Sequence, residues 1–199
     1  MRRVSPFGVL RAYLQARASF TDDELAFLET MFLPARLGAG EFLQRAGEVA
    51  RHAAFVASGC LRSYVIDAKG KEHIVQFAPE TWWLSDTVSL TSGAPSEYFI
   101  DAIEDSELLL LDIASQQRLL QEVPAYAVSF GAGVQRHAAA KDRRIATALS
   151  ASAEARYLEF MSTYPSIALR VPQFMVASYL GISPETLSRI RKTLATREH

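Results

Sequence analysis

Apolar and polar positions along the 199-residue chain follow first a helical rhythm, then a strand rhythm, then a helical one again. Between residues 6 and 16, Phe7, Leu10 and Leu14 recur at helical spacing. Thr21-Asp22-Asp23-Glu24 reads as a capping box that opens a second helix, with Leu25, Leu28 and Phe32 on one face. The texture then changes. Pro34, Gly38, Gly40, Gly47, Gly59, Gly70, Pro79, Gly93 and Pro95 punctuate short apolar runs, among them 52–56, 61–66, 73–77, 98–103 and 108–111. Asp67-Ala68-Lys69-Gly70 predicts a hairpin turn whose glycine is free to take positive φ. Many short strands with regular turns predict an all-β barrel or sandwich from about Phe32 to Asp112.

Helical spacing returns at Asp112, a candidate cap for a helix through Leu119 and Leu120. Pro124 sits where a first-turn proline is tolerated, and no proline follows until well past Leu149. Tyr126, Phe130, Val134, His137, Lys141, Arg144 and Ala148 recur at spacings of three and four on this long segment. Further helices are expected at 153–164, 171–179 and 183–197, and no internal repeat interrupts the pattern. The fold class that follows is α+β. It comprises a jelly-roll-like β domain with N-terminal helices (1–123), a connecting helix (124–149) and an all-α C-terminal domain (150–199).

The last of these carries the most informative stretch, VPQFMVASYLGISPETLSRIRKTLATREH. Phe174, Val176, Ala177 and Leu180 give a short helix its apolar face, and Gly181 suits the left-handed conformation that ends a helix. Ser183 is an N-cap, Pro184 a first-turn proline, and Glu185 favours the positive helix end. Leu187, Ile190 and Leu194 form the back of the second helix; Glu185, Ser188, Arg189 and Lys192 form its front. This is the pattern of a helix-turn-helix, and equally of an ordinary αα-hairpin packed on a core. The front favours the former: Arg189 suits a guanine edge, Glu185 a cytosine amine, and Ser183 or Thr186 a phosphate.

Charge changes the picture in the same direction. Hydrophobic residues make up 49% of the chain and charged ones 22%, which excludes a disordered polymer. The net charge of −1 hides an asymmetry: residues 1–60 carry +1, 61–123 carry −7 and 124–199 carry +5. A basic C-terminal part behind an acidic middle points to a polyanion met by the C-terminal part alone. No apolar run is long enough for a membrane span, and the start reads as an amphipathic helix, so a cytoplasmic protein with no membrane partner is expected. One cysteine, Cys60, rules out an intrachain disulfide and a cysteine-only metal or iron–sulfur site.

At LGISPETLSRIRK, preceded by RVPQFMVASY, the chain resembles the C-terminal motif of Crp/Fnr-type transcription regulators. The resemblance extends upstream. GCLRSYVIDAKGKEHIVQFAPETWW and SEYFIDAIEDSELLLLD look like the cyclic-nucleotide-binding β-roll, and SAEARYLEFMSTYP looks like the helix before the DNA-binding part. It implies a β-roll sensor, a dimerisation helix and a helix-turn-helix binding double-stranded DNA, with Glu185 and Arg189 at base-reading positions. Two departures stand out. The family's winged domain has a hairpin after the recognition helix; with the sequence ending at His199, no complete wing is expected. The family's nucleotide-binding members hold the cyclic phosphate with a Gly-Glu pair and an arginine. The corresponding stretch, Trp82 to Phe99, has no Gly-Glu pair, and no lysine or arginine lies between Lys71 and Arg118, where at least eight carboxylates do. A small effector other than cyclic AMP or cyclic GMP is therefore expected.

An effector pocket is expected near Trp82, Trp83, Ser85 and Tyr98, although two adjacent tryptophans on a strand point to opposite faces, so that one at most lines a pocket. A homodimer is expected through Tyr126, Phe130, Val134 and His137, a stripe with no assigned partner in so small a β domain. Gly131, Gly133 and Ala138–Ala140 either allow close helix approach or merely weaken the helix. His52 and His73 lie on expected strands near Glu48 and Glu72, but the two histidines one residue apart that cupin metal sites usually contain are missing, so neither metal nor cofactor is expected. With no G-x-S-x-G and no G-x-x-x-x-G-K, no enzymatic activity is expected either. The competing reading is a β-barrel small-ligand-binding or cupin-like protein whose C-terminal helices are only structural.

Overall fold

A computed structural model describes residues 4–197; the outermost positions of the first and last expected segments, 1–3 and 198–199, lie outside the described residues. The chain forms two compact units. The first runs to Tyr64 and resumes over Phe77–Gln135; the second joins Val65–Gln76 to the residues from Arg136 onward.

Two short helices open the first unit. Ser5 caps α1 (Pro6–Gln15), with proline in its first turn, and the expected capping box at Thr21 and Glu24 opens α2 (Asp22–Thr30). Eight strands follow: β1 (Leu33–Leu37), β2 (Phe42–Gln44), β3 (Ala53–Ser58), β4 (Leu61–Ile66), β5 (Glu72–Ala78), β6 (Trp83–Leu84), β7 (Phe99–Ala102) and β8 (Ser106–Leu111). They form two four-stranded sheets, β1-β8-β3-β6 and β2-β7-β4-β5. A short helix, α3 (Thr87–Ser92), lies between β6 and β7, and Asp112 caps α4 (Ile113–Glu122), accepting from the Ser115 amide at 2.8 Å.

The central strands β3 and β8 are buried on both faces, which is why their sequences read as unbroken apolar runs rather than alternations. Phe55, Leu109 and Leu111 pack against Leu10, Leu14, Leu28 and Leu119 of the helices. Ala54, Val56, Leu108 and Leu110 point the other way and meet Leu61 and Ile100 of the second sheet inside the roll. Gly59 makes the β3–β4 turn possible: its φ is +93°, and a Cβ there would stand 2.7 Å from the Asp105 carbonyl oxygen.

Pro124 opens α5 (Pro124–Ser150), 27 residues long. The expected connecting segment is thus one continuous helix, and the division between the compact units falls within it, after Gln135. In the second unit, α6 (Ala153–Thr163), α7 (Ile167–Arg170), α8 (Gln173–Leu180) and α9 (Pro184–Arg197) enclose Tyr157, Phe160, Ile167, Val176, Leu180 and Leu187. Phe160, Tyr164 and Tyr179 form an aromatic cluster with ring centroids 5.3–5.7 Å apart.

Candidate nucleic-acid interface

The turn between α8 and α9 is built as its sequence predicts. Gly181 ends α8 at φ 67°, ψ 35°, and its amide and that of Ile182 return to the Ser178 and Ala177 carbonyls at 3.1 and 3.0 Å. The Ser183 hydroxyl then accepts from the Thr186 amide at 3.2 Å, fixing the first turn of α9. Leu187 is buried, and Ile190 and Leu194 are half-buried on the same side. Ser183, Glu185, Ser188, Arg189 and Lys192 are all exposed, while Thr186 is half-buried.

The exposed side is pre-organised. Arg189 donates to the Thr186 hydroxyl at 3.2 Å, which is itself 3.2 Å from the Ser183 hydroxyl. The Glu185 carboxyl is held below its ordinary pKa by the Ser183 hydroxyl, by its own backbone amide and by Arg189, so it is an ionised acceptor at neutral pH. One helix face therefore presents a bidentate donor, an acceptor and a lysine in fixed order.

Sequence reasoning did not find what holds α8. The edge strand β5 leaves backbone groups unpaired, and two side chains satisfy them. The Ser178 hydroxyl accepts from the Ile74 amide (3.0 Å) and donates to the Glu72 carbonyl (2.8 Å). From α5, the Arg144 guanidinium donates to the carbonyls of Val75, Ile74 (3.1 Å) and Tyr179 (3.0 Å), and lies 3.9 Å above the Tyr179 ring. The β4–β5 hairpin tip thus belongs physically with the C-terminal helices. At the tip, His73 and Asp67 are 2.8 Å apart; the His73 contact and the Lys71 and Lys69 amides lower the Asp67 pKa to about 2. No local pattern signals contacts across more than a hundred residues.

The two tryptophans expected near an effector pocket pack against different clusters. Trp83 packs on Phe55 and Phe32, at ring distances of 5.4 and 6.0 Å, and Trp82 packs against the interior of the roll. Ser85 lies 3.4 Å from the Thr87 hydroxyl, and the Tyr98 amide donates to Ser96. The cassette region is closed by its own side chains: the Asp86 carboxylate accepts from the Val88 and Ser89 amides at the start of α3, both at 3.1 Å. Asp86 is buried, and these two amides at the start of α3 are paired with its carboxylate.

The stripe on α5 has a partner over its first half. Tyr126 is buried in the helix-facing core of the first unit and Phe130 packs against that core, whereas Val134 and His137 are exposed. Tyr126 and Phe130 therefore bury themselves on their own chain, because α1, α4 and the first sheet leave a groove that the start of α5 fills. Among the described residues, no group of three or more His, Cys, Asp or Glu is placed to hold a metal ion, and no helix is long and apolar enough to cross a membrane.

Residues 34–123 match the family described as the cyclic nucleotide-binding domain. Similar solved structures include the c-di-GMP-responsive global regulator CLP of Xanthomonas campestris, at 14% identity over 89% of this chain and 93% of that one, with a TM-score of 0.70. FixK2 of Bradyrhizobium japonicum gives 21% identity over 84% and 86% of the two chains, with a TM-score of 0.70. The catabolite activator protein of Thermus thermophilus gives 21% identity over 98% and 88%, with a TM-score of 0.57. No curated protein matches the sequence. The β-roll read from the motifs is thus matched over residues 34–123, and the likeness to the solved structures shows a shared fold.

Proposed function

We propose that this chain, a cyclic-nucleotide-binding-type β-roll joined to the helices of a Crp/Fnr-like fold, is a DNA-binding transcription regulator that reads double-stranded DNA with α9. The observation that carries the proposal is the capped helix after a glycine turn whose exposed face holds Glu185, Ser188, Arg189 and Lys192. The N-terminal residues of α9 read base edges, and its later cations, with the basic charge of the C-terminal part, meet phosphates.

The proposal includes a homodimer, needed to present two recognition helices one DNA turn apart. Beyond Phe130, Gly131, Val134, Ala138, Lys141, Ile145 and Ala148 are spaced alternately by three and four, nearly the 3.5-residue repeat of a helix pair, and all are exposed. Val134 and Ile145, 51% and 60% exposed, are the apolar residues that this line leaves uncovered in the single chain. A small effector bound in the roll, other than cyclic AMP or cyclic GMP, completes the reading.

Selection of random duplexes by the purified protein tests it. The expected result is enrichment of a two-fold-symmetric site with half-sites about 34 Å apart, or one helical turn. Retention of all duplexes alike, or of none at low salt, would return the C-terminal helices to a purely structural role.

A further inference from the structure

We infer that Lys141 of one copy of α5 pairs with Asp142 of a second copy, in two symmetric ion pairs that set the two helices side by side in the same direction; the inference rests on the homodimer reading above. Within the second unit, one side of α5 is occupied. Arg144 and Thr147 are half-buried there, Arg144 reaches the Ile74 and Tyr179 carbonyls, and Arg143 is paired with Glu159 at 2.7 Å. The opposite side is open. Ile145 and Leu149 are 60% and 84% exposed on it, and Ala138, two turns before Ile145, is exposed as well. At about 100° per residue these three fall within about 40° of one another, a narrow apolar line down one face.

Lys141 and Asp142 flank that line. Being neighbours in sequence, they stand about 100° apart around the helix, roughly 60° to one side of the line and roughly 40° to the other. Both are exposed, and neither makes an ion pair among the described residues. The neighbour of Lys141 on its own flank is His137, one turn earlier, which repels it when protonated.

Symmetry decides what the two flanks meet. When two identical helices pair in the same direction, the two-fold axis runs along them. Each flank then faces the opposite flank of the other helix at the same height. Lys141 faces Asp142 of the partner subunit, the two being offset by one residue's rise of about 1.5 Å, and the contact occurs twice. When the helices pair in opposite directions, the axis is perpendicular and each flank faces itself. Lys141, where brought level, then meets Lys141 of the partner subunit, and Asp142 meets Asp142 of the partner subunit. The chain is therefore complementary to itself in the parallel arrangement and repels itself in the other. Charges beside an apolar seam set orientation and register in this way, and here they commit the open face of α5 to a second copy.

Sedimentation velocity on the full chain at about pH 8, where the His137 ring is neutral, tests the pairing. The parent should be dimeric at tens of micromolar. Lys141→Glu and Asp142→Lys should each raise the dimer Kd about tenfold or more, because each turns two attractions into two repulsions. An equal mixture of the two variants should associate within about threefold of the parent's Kd: the substituted positions face each other with opposite charge, and one original pair remains. The double variant Lys141→Glu with Asp142→Lys should do the same by itself. Recovery in the mixture also excludes misfolding as the cause of the weakening. Single variants that dimerise like the parent, or a mixture or double variant no tighter than the singles, would overturn the pairing and leave the dimer standing. A monomeric parent would overturn the dimer and the pairing together.

Discussion

Arg144→Ala removes the guanidinium that joins the β4–β5 hairpin tip, α8 and the distal part of α5. Three donated bonds to main-chain carbonyls are lost, together with the contact over Tyr179, and the carbonyls of Ile74, Val75 and Tyr179 lose a charged donor. Hydrogen bonds to charged groups contribute about 1.5–3 kcal/mol each when measured singly. These three share one side chain that is partly exposed, so their effects overlap and water replaces part of the loss. A loss of about 2–4 kcal/mol in local stability is the reasoned figure. At 1.4 kcal/mol per tenfold, the lower end of that range is a roughly thirtyfold rise in the local opening constant. Hydrogen exchange followed by mass spectrometry reads it directly. Peptides covering 72–76 and α8 should exchange at least about thirtyfold faster, while β3 and β8 in the first unit should not change. Arg144→Lys, which keeps the charge but loses the fork, should fall between the two. Exchange in the hairpin tip and α8 within about threefold of the parent would mean that these bonds do not hold α8.

Gly59→Ala should lose about 2–5 kcal/mol in denaturant unfolding, because positive φ and the Asp105 backbone and Ser106 side chain crowd any Cβ; a loss under about 1 kcal/mol would contradict the close approach. Asp67 has a lowered folded pKa, so the hydrogen bonds its carboxylate accepts from His73 and from the Lys71 and Lys69 amides contribute stability that is present above the unfolded carboxylate value and is lost as pH falls towards about 2; carboxyl carbon titration should find that value in the parent and a higher one in His73→Ala. A dimer at tens of micromolar should be seen by light scattering, and Val134→Glu with Ile145→Glu should convert it to monomer without unfolding, since both residues are exposed in the single chain; a parent that is monomeric at that concentration would exclude the α5 seam.

Elements with chemistry at their ends were the most legible in the sequence. The capping box at Thr21, the Asp112 cap, the Asp67–Gly70 turn and the Gly181-Ser183-Pro184 turn each satisfy backbone groups within a few residues, so the local pattern specifies them. Three strands were not legible. β1 contains Pro34, which usually argues against a strand; it is tolerated because β1 is the edge of its sheet. β2 and β6 have three and two residues, too few for a period, and exist because β7 and β3 pair with them. The front and back of α9 could be read from periodicity alone. The fate of Tyr126 and Phe130 could not, because whether an apolar stripe meets its own chain or another depends on the groove that α1 and α4 leave. The Ser178 and Arg144 contacts were invisible for the same reason: they join strand and helices about 70 and 105 residues apart.

If the exposed face of α9 reads DNA sequence, Arg189→Ala should change the preference for a selected site over a scrambled duplex, measured across a salt titration. A loss of about 1–3 kcal/mol of discrimination at one base pair per half-site is expected, with binding to the scrambled duplex nearly unchanged. Lys192→Ala, measured alongside, should weaken both duplexes alike and lower the salt slope by about one unit. Full retention of site preference by Arg189→Ala would mean that this face of α9 does not read base sequence.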